Sequence, residues 1–307
     1  MKLSIARTSI FQRYGDEYDY LRRIKKAGFN YVDYDFYSLI GEPNSRYMLT
    51  GWEKQIHATA DFMAQIGIRP IMCHAPKGEP ARDREGILAR SQRALQCCGI
   101  LGIPDMVIHP GGLPGWTEEE FDRFNLKYIS DLLPFAERAG TRILIENVGR
   151  WDEPFYVQSA EELVKMIEKV NHPLVQACLD TGHLGLQDQD NAYAIRLLGK
   201  HLKAMHVHDN LGSLPVPITD RAWRQDLHLP PGFASIDFDA VICALKEVSY
   251  EGPWNIEIES PRCHEKKMIG CTAPRLQYMD PDLNDEYCRL IHDMSAELLA
   301  YHGLTVE

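Results

Sequence analysis

The sequence predicts an α/β fold, a single (β/α)8 TIM barrel running over residues 1–307. Three observations carry this. Eight short apolar runs alternate with segments of helical periodicity, and such alternation implies parallel strands with crossover helices. No GxGxxG follows the first run, which removes the main signature of an open doubly wound sheet. The 307 residues are 45% hydrophobic and 25% charged with no break in composition, a length that α/β barrels reach as one domain.

Taken in order, residues 3–8 (LSIART) read as the first strand, and 17–27 as an amphipathic helix stopped by Gly28. Residues 31–37 (YVDYDFY) alternate as a second strand. A helix over 52–66 ends at Gly67, and 68–76 (IRPIMCHAP) is the third strand. Residues 83–101 form a helix closed by Gly102, before the fourth strand over 105–111 (DMVIHPG). Thr117 with three following glutamates caps a long helix ending near Gly140. The fifth strand is 141–148 (TRILIENV), and Ser159 with Glu162 fits a capping box for the next helix. Residues 175–180 (VQACLD) are the sixth strand, 191–198 a short helix and 202–208 the seventh strand. An irregular, proline-bearing stretch over 211–232 leads to a helix over 237–248 capped by Asp237. The eighth strand is 254–259 (WNIEIE). After a loop over 260–281, read as a solvated loop with a lid or subunit contact as the alternative, comes a last helix over 283–301.

Composition narrows the function. Thirty-three Lys+Arg against 44 Asp+Glu give a net charge of −11, which argues against nucleic acid as a partner. The densest basic cluster, Arg22, Arg23, Lys25 and Lys26, lies on a predicted helix and reads as a solvated face. The first residues lack the apolar core of a secretory signal, and no apolar run approaches a membrane span. The eight cysteines form no CxxC pair; Cys73, Cys97, Cys98 and Cys178 read as reduced, buried thiols of a cytoplasmic protein.

The chemistry collects at strand ends. His74 ends the third strand and His109 the fourth; Glu146 lies in the fifth. Asp180, with His183 three residues on, ends the sixth. His206 and His208 end the seventh, and Glu257 and Glu259 lie in the eighth. In a barrel of this type these ends share one mouth. A lone histidine after a strand is ordinarily a packed or loop residue. A carboxylate inside an apolar strand is costly unless paired or metal-bound, and Glu146, Asp180 and Glu257 all pose that problem. Acids and imidazoles without thiolates suit Mn2+, Zn2+, Co2+ or Mg2+. Asp33 and Asp35 could belong to the mouth or be polar filling of the barrel interior, and the sequence leaves that open.

An ordered set of motifs runs from strand three to strand eight: HAP at His74, HPGG at His109, IENVG at Glu146, LDTGH over 180–183, MHVHDN over 205–210, DLHLPPG over 226–232, and the strand containing Glu257. As a set they resemble the xylose-isomerase-like barrel superfamily, which includes sugar-phosphate isomerases and epimerases and endonuclease IV. The isomerase/epimerase resemblance implies one divalent metal, manganese first, with zinc, cobalt or magnesium as alternatives, held by Glu146, Asp180, His206 and Glu257. Glu146 and Glu257 would double as the acid/base pair, and His183 would bind substrate. The endonuclease IV resemblance implies three zinc ions on His74, His109, Glu146, Asp180, His183, His206, Asp226, His228 and Glu257. The sequence departs from the epimerase pattern after strand seven: residues 211–225 carry Pro215, Pro217 and Trp223, and the usual Gly-rich turn reads PGFASID.

The expected activity is therefore proton abstraction next to a carbonyl of a sugar or sugar derivative, through an enediolate, in an isomerase or epimerase. Dehydration or β-elimination of a keto-sugar or keto-cyclitol begins with the same step. The rival is multi-zinc phosphodiester hydrolysis, for which Arg150, Trp151, Arg221, Trp223 and Arg224 are the available backbone contacts. A sugar-binding or assembly protein without chemistry is a further alternative, against which the intact acids and histidine argue. Barrels of this kind often pair, so a homo-oligomer is among the expectations. Within MHVHDN, strand parity turns both histidines inward. His206 is expected deeper, as the metal ligand, and His208 nearer the mouth, touching substrate or groups behind the ligands.

Overall fold

The computed structural model describes residues 1–6, 16–149, 156–213, 226–259 and 280–307. Outside these lie the end of the first predicted strand (Arg7, Thr8), Arg150, Trp151, Pro215, Pro217, Arg221, Trp223, Arg224 and most of the 260–281 loop, with Cys263, His264, Lys266, Lys267 and Cys271.

The strands are β1 (Leu3–Ala6), β2 (Tyr31–Tyr34), β3 (Arg69–His74), β4 (Asp105–Ile108), β5 (Arg142–Glu146), β6 (Val175–Asp180), β7 (Leu202–Val207) and β8 (Trp254–Ile256). They close in sequence order into a barrel, with β8 pairing parallel to β1 through Leu3 and Trp254. The helices are α1 (Glu17–Lys26), α2 (Phe36–Leu39), α3 (Trp52–Ile66), α4 (Arg84–Leu101), α5 (Glu118–Ala139), α6 (Ala160–Val170), α7 (Thr181–Gly185), α8 (Asn191–Leu198), α9 (Phe238–Glu247) and α10 (Pro281–Tyr301). The fold is the predicted (β/α)8 TIM barrel. Among the described residues no helix is long and apolar enough to cross a membrane.

Local signals act as the sequence implies. Thr117 and Ser159 both form reciprocal capping boxes, with Glu120 and Glu162. Gly67, Gly102 and Gly140 end α3, α4 and α5 in the left-handed conformation. Besides β8, which ends at Ile256 rather than Glu259 because the Glu259 N–H turns to the His228 carbonyl at 3.0 Å, two elements differ from expectation. β2 stops at Tyr34 rather than continuing to Tyr37, because Asp35 turns to cap α2 by accepting the Ser38 N–H at 2.9 Å. The short helix α7 starts where β6 ends, since Asp180 accepts the His183 N–H at 2.7 Å. Both arise from a side chain competing for backbone donors, a contest that strand alternation does not register.

The barrel interior explains where the site forms. Met72, Val107, Leu144, Cys178 and Ala204, from β3 to β7, pack as a separate buried cluster inside the sheet. Side chains in a strand repeat every second residue, so two positions further on the same strands carry His74, His109, Glu146, Asp180 and His206 inward. The apolar layer is the floor and the polar layer is the site. On the remaining arc, β8, β1 and β2, the interior is polar: Asn255, Ser4 and Asp33 are all buried.

Candidate functional site

Glu146 and Glu257 flank one imidazole nitrogen. His206 Nδ1 lies 3.2 Å from Glu146 Oε2, 3.1 Å from Glu257 Oε2 and 4.0 Å from Asp180 Oδ2. Donor atoms from these four side chains fall within 4.8 Å of one another. Glu146, Asp180 and His206 are buried, and the Glu257 side chain is 17% exposed, so the cluster opens to solvent on the β8 side.

Each residue is held from behind. His109 Nε2 donates to Glu146 Oε2 at 3.0 Å. Asn147 bridges β5 and β6, donating to the Asp180 carbonyl at 3.0 Å and accepting the Asp180 N–H at 2.7 Å. His208 Nε2 lies 2.9–3.0 Å from the Asp180 carboxylate. Thr181 donates its hydroxyl to the His208 carbonyl at 2.7 Å, tying α7 to the end of β7. Asp209 accepts backbone N–H bonds from Ala234, Ser235 and Ile236, and Asn210 accepts the Leu227 N–H at 2.6 Å. The acid and amide closing MHVHDN thus seat the returning segment that carries Asp226 and His228.

Asp226, His183 and His228 form a neighbouring group. His183 Nδ1 donates to the Asn147 carbonyl at 2.9 Å and His228 Nδ1 to the Glu257 carbonyl at 2.9 Å. His228 Nε2 is 2.8 Å and His183 Nε2 3.9 Å from Asp226 Oδ2. His228 adopts φ +47°, an unusual conformation for a residue other than glycine. His208 and His228 stack with centroids 3.8 Å apart and planes 9° from parallel. Their in-plane lone pairs therefore cannot converge on one ion, and the same holds for His74 and His206, stacked at 4.4 Å and 15°.

The electrostatics are those of many buried acids balanced by imidazoles. Burial opposes the charge on Glu146, yet His206 and His109 hold its carboxyl well below the usual range. Burial likewise opposes Asp226, which His228 holds well below its usual range. His74 is pulled down by burial but lifted to about 9 overall by Asp33. His228 is similarly lifted to about 10 by Asp226. Burial pushes the Cys178 thiol up to about 12, so no thiolate competes beneath His206.

These residues fit a divalent cation. Both His206 nitrogens are buried without a hydrogen-bond partner, although two carboxylates stand at 3.1–3.2 Å from Nδ1. Adjacent ligands around an ion with bonds of about 2.1 Å sit about 3 Å apart at right angles. A set of carboxylate oxygens with one imidazole suits a hard or borderline ion.

All ten residues expected from the sequence, His74, His109, Glu146, Asp180, His183, His206, His208, Asp226, His228 and Glu257, come together at this mouth. His208 is fully buried against Asp180 rather than presented to the opening. Two further residues belong here. Asn147 was legible only as part of IENVG. Asp33 is 3.1 Å from His74 Nδ1, which removes the ambiguity between mouth and filling. Asp35 is a helix cap.

Gly182 has a role the LDTGH motif does not announce. A Cβ there would lie 2.0 Å from His208 Cε1. Gly182→Ala is expected to push His208 off Asp180 and destabilise the protein by about 1–3 kcal/mol, the usual cost of overpacking, measured by denaturant unfolding.

Fold and site together define a TIM barrel with a carboxylate–imidazole cluster suited to a divalent cation. The chain belongs to the xylose isomerase-like TIM barrel family, whose profile matches residues 21–279. It is 25% identical over 209 residues to the inosose isomerase of Bacillus subtilis, covering 64% of this chain and 70% of that one. It is 24% identical over 251 residues to the L-ribulose-5-phosphate 3-epimerase of Salmonella paratyphi C, covering 78% and 81%. The crystal structure of the IOLI protein with a binding zinc atom superposes with a TM-score of 0.73 at 17% identity, covering 98% of this chain and 99% of that one.

Proposed function

We propose that the protein is a divalent-metal-dependent isomerase or epimerase of a sugar or sugar derivative. Glu146, Asp180, His206 and Glu257 hold the ion, and Glu146 and Glu257 serve as the acid/base pair. The observation that carries this reading is the pair of carboxylates 3.1 and 3.2 Å from one unpartnered imidazole nitrogen. Family membership and relatives named as a sugar-phosphate epimerase and an inosose isomerase support it.

The bound ion would act as a Lewis acid, with manganese preferred over zinc, cobalt or magnesium. The chain's own groups do the proton work. Glu257 Oε1 lies 3.8 Å from His74 Nε2, outside hydrogen-bonding range, and its side chain is partly open to solvent. It is placed to take a proton from carbon beside a carbonyl and exchange it with water. Glu146 comes from the opposite side of His206, sealed from solvent, with His109 bonded to Oε2. Held ionised by His206 and His109, Glu146 is the base for the other face of the carbon through Oε1, 3.5 Å from His183 Nδ1. The two glutamates thus take the proton in opposite directions of epimerisation, and each returns one only after it has been protonated. Elimination from a keto-sugar or keto-cyclitol would share the first transfer.

The test is an activity screen of metal-loaded protein against free ketoses, sugar phosphates, keto-cyclitols and abasic-site DNA, beside a count of tightly bound ions. About one ion per chain and turnover of a ketose or cyclitol is the expected result. A specific observation favours a second reading. His183 and His228 each give Nδ1 to a backbone carbonyl, which turns both Nε2 atoms towards Asp226. With His74, His109 and Glu146 as another donor group, that arrangement suits a multinuclear centre. Three zinc ions per chain with cleavage of abasic DNA would replace the isomerase by a hydrolase.

A further inference from the structure

We propose that Asp33 is a positioning residue that biases the orientation and tautomer of His206, and through it the affinity of the centre for its ion. The proposal rests on the metal-centre reading above.

Ser4 on β1 donates its hydroxyl to Asn255 Oδ1 at 2.7 Å. A hydroxyl that donates fixes the amide with its oxygen towards Ser4, so the NH2 group faces the other way. It donates there to Asp33 Oδ2 at 3.0 Å. The same oxygen lies 3.1 Å from His74 Nδ1 and 3.6 Å from His206 Nε2. Asp33 is 1% exposed, and its other oxygen, Oδ1, is buried without a partner. The β2–β3 register shifts between Val32 and Asp33, an irregularity of the kind that re-aims a side chain next to a site.

This places one buried anion against the far side of two stacked imidazoles, His74 and His206. An imidazole that ligates must leave one nitrogen without a proton. For His206 the nitrogen facing Glu146, Glu257 and Asp180 is Nδ1, so the proton must sit on Nε2. At 3.6 Å Asp33 makes no hydrogen bond to Nε2, but a carboxylate oxygen there attracts a proton on Nε2 and repels a lone pair, so it favours that tautomer. Asn255 and Ser4 hold that carboxylate in place. Partners behind a metal-bound histidine of this kind are typically worth about 10–100-fold in metal affinity.

Asp33→Asn separates this role from a structural one. The shape is kept and Asn255 still requires an acceptor, so the new amide oxygen takes the place of Oδ2, towards Asn255 and both imidazoles, its NH2 takes the place of Oδ1, and what is lost is the negative charge. A neutral oxygen attracts a proton on His206 Nε2 less than a carboxylate does, so the form with the proton on Nδ1, which opposes ligation, gains weight. Co2+ is titrated by calorimetry and visible absorption into wild type, Asp33→Asn and Glu146→Gln, with metal-free unfolding midpoints measured in parallel. The expected result is about 10–100-fold weaker Co2+ binding by Asp33→Asn at a closely similar metal-free midpoint. 15N spectra of the metal-free proteins should place the His206 proton on Nε2 in wild type and show a larger share of the Nδ1-protonated form in the variant. Equal affinity with an unchanged His206 tautomer overturns the proposal alone. Wild type that binds no Co2+, or binds it no better than Glu146→Gln, overturns the metal-centre reading and this proposal with it. Should Asp33→Asn fail to fold, Ser4→Ala decides. It frees the Asn255 amide to flip and is expected to weaken Co2+ binding in the same direction, and an unchanged value overturns the role of Asp33.

Discussion

Glu146→Gln is expected to abolish turnover, a loss of at least about 10²–10⁴-fold, while leaving the fold intact. The side chain keeps its shape, and Glu146 sits at the end of β5 above Leu144 with neighbours from three other elements already in place. What disappears is the charge. His206 Nδ1 at 3.2 Å, His109 Nε2 at 3.0 Å and His183 Nδ1 at 3.5 Å all face that carboxylate. The amide cannot take a proton from carbon, and it is a far weaker ligand. Metal affinity should therefore fall by more than the about 100-fold that loss of a supporting partner costs. Glu257→Gln should remove turnover to the same degree, with a smaller loss of affinity, because this side chain is partly solvated and its charge offsets less of the buried imidazole cluster. Steady-state turnover, circular dichroism and an ion count read the three consequences separately. Unchanged activity in both variants would sink the acid/base assignment.

The barrel was legible because its signals are local and repeat. Capping residues, terminal glycines and apolar runs mark each unit, and the acids at strand ends stand out against apolar neighbours such as those of ILIEN. Parity then carried the site: once Leu144, Cys178 and Ala204 face inward, Glu146, Asp180 and His206 must as well. Other features are not local. Asp33 looks the same in sequence whether it fills the interior or supports a ligand; its neighbours Asn255, His74 and His206 come from three other strands, and Ser4 behind Asn255 from a fourth. The short helices α2 and α7 exist because Asp35 and Asp180 cap them, and a carboxylate at a strand end does not declare whether it will accept a backbone N–H. His206 and His208 share a face by parity, and the partner of each nitrogen is decided by what the neighbouring strands bring to it.

That difference sets the second large effect. His206→Ala is expected to leave the purified protein without its ion, and His208→Ala to retain about one equivalent. His206 Nδ1 stands between the carboxylates of Glu146 and Glu257, so alanine removes a donor from the middle of the cluster and leaves like charges facing one another. His208 does something else. Its Nε2 faces the Asp180 carboxylate at 2.9–3.0 Å, its ring fills the space over Gly182, and its Nδ1 is buried without a partner. Alanine there loosens Asp180 but removes no donor from the four-residue group, so affinity should fall by only about 10–100-fold. Thermal unfolding with and without added ion separates the two. An ion present at about 100 times its dissociation constant stabilises the folded protein by about 2.7 kcal/mol. Wild type should show that shift and His206→Ala none. His208→Ala should recover it only at proportionally higher concentration. An emptied His208→Ala beside an ion-bearing His206→Ala would mean that the ligand is the other histidine. The carboxylates gathered around His206 Nδ1, with Asp33 behind its other nitrogen, argue for the first outcome.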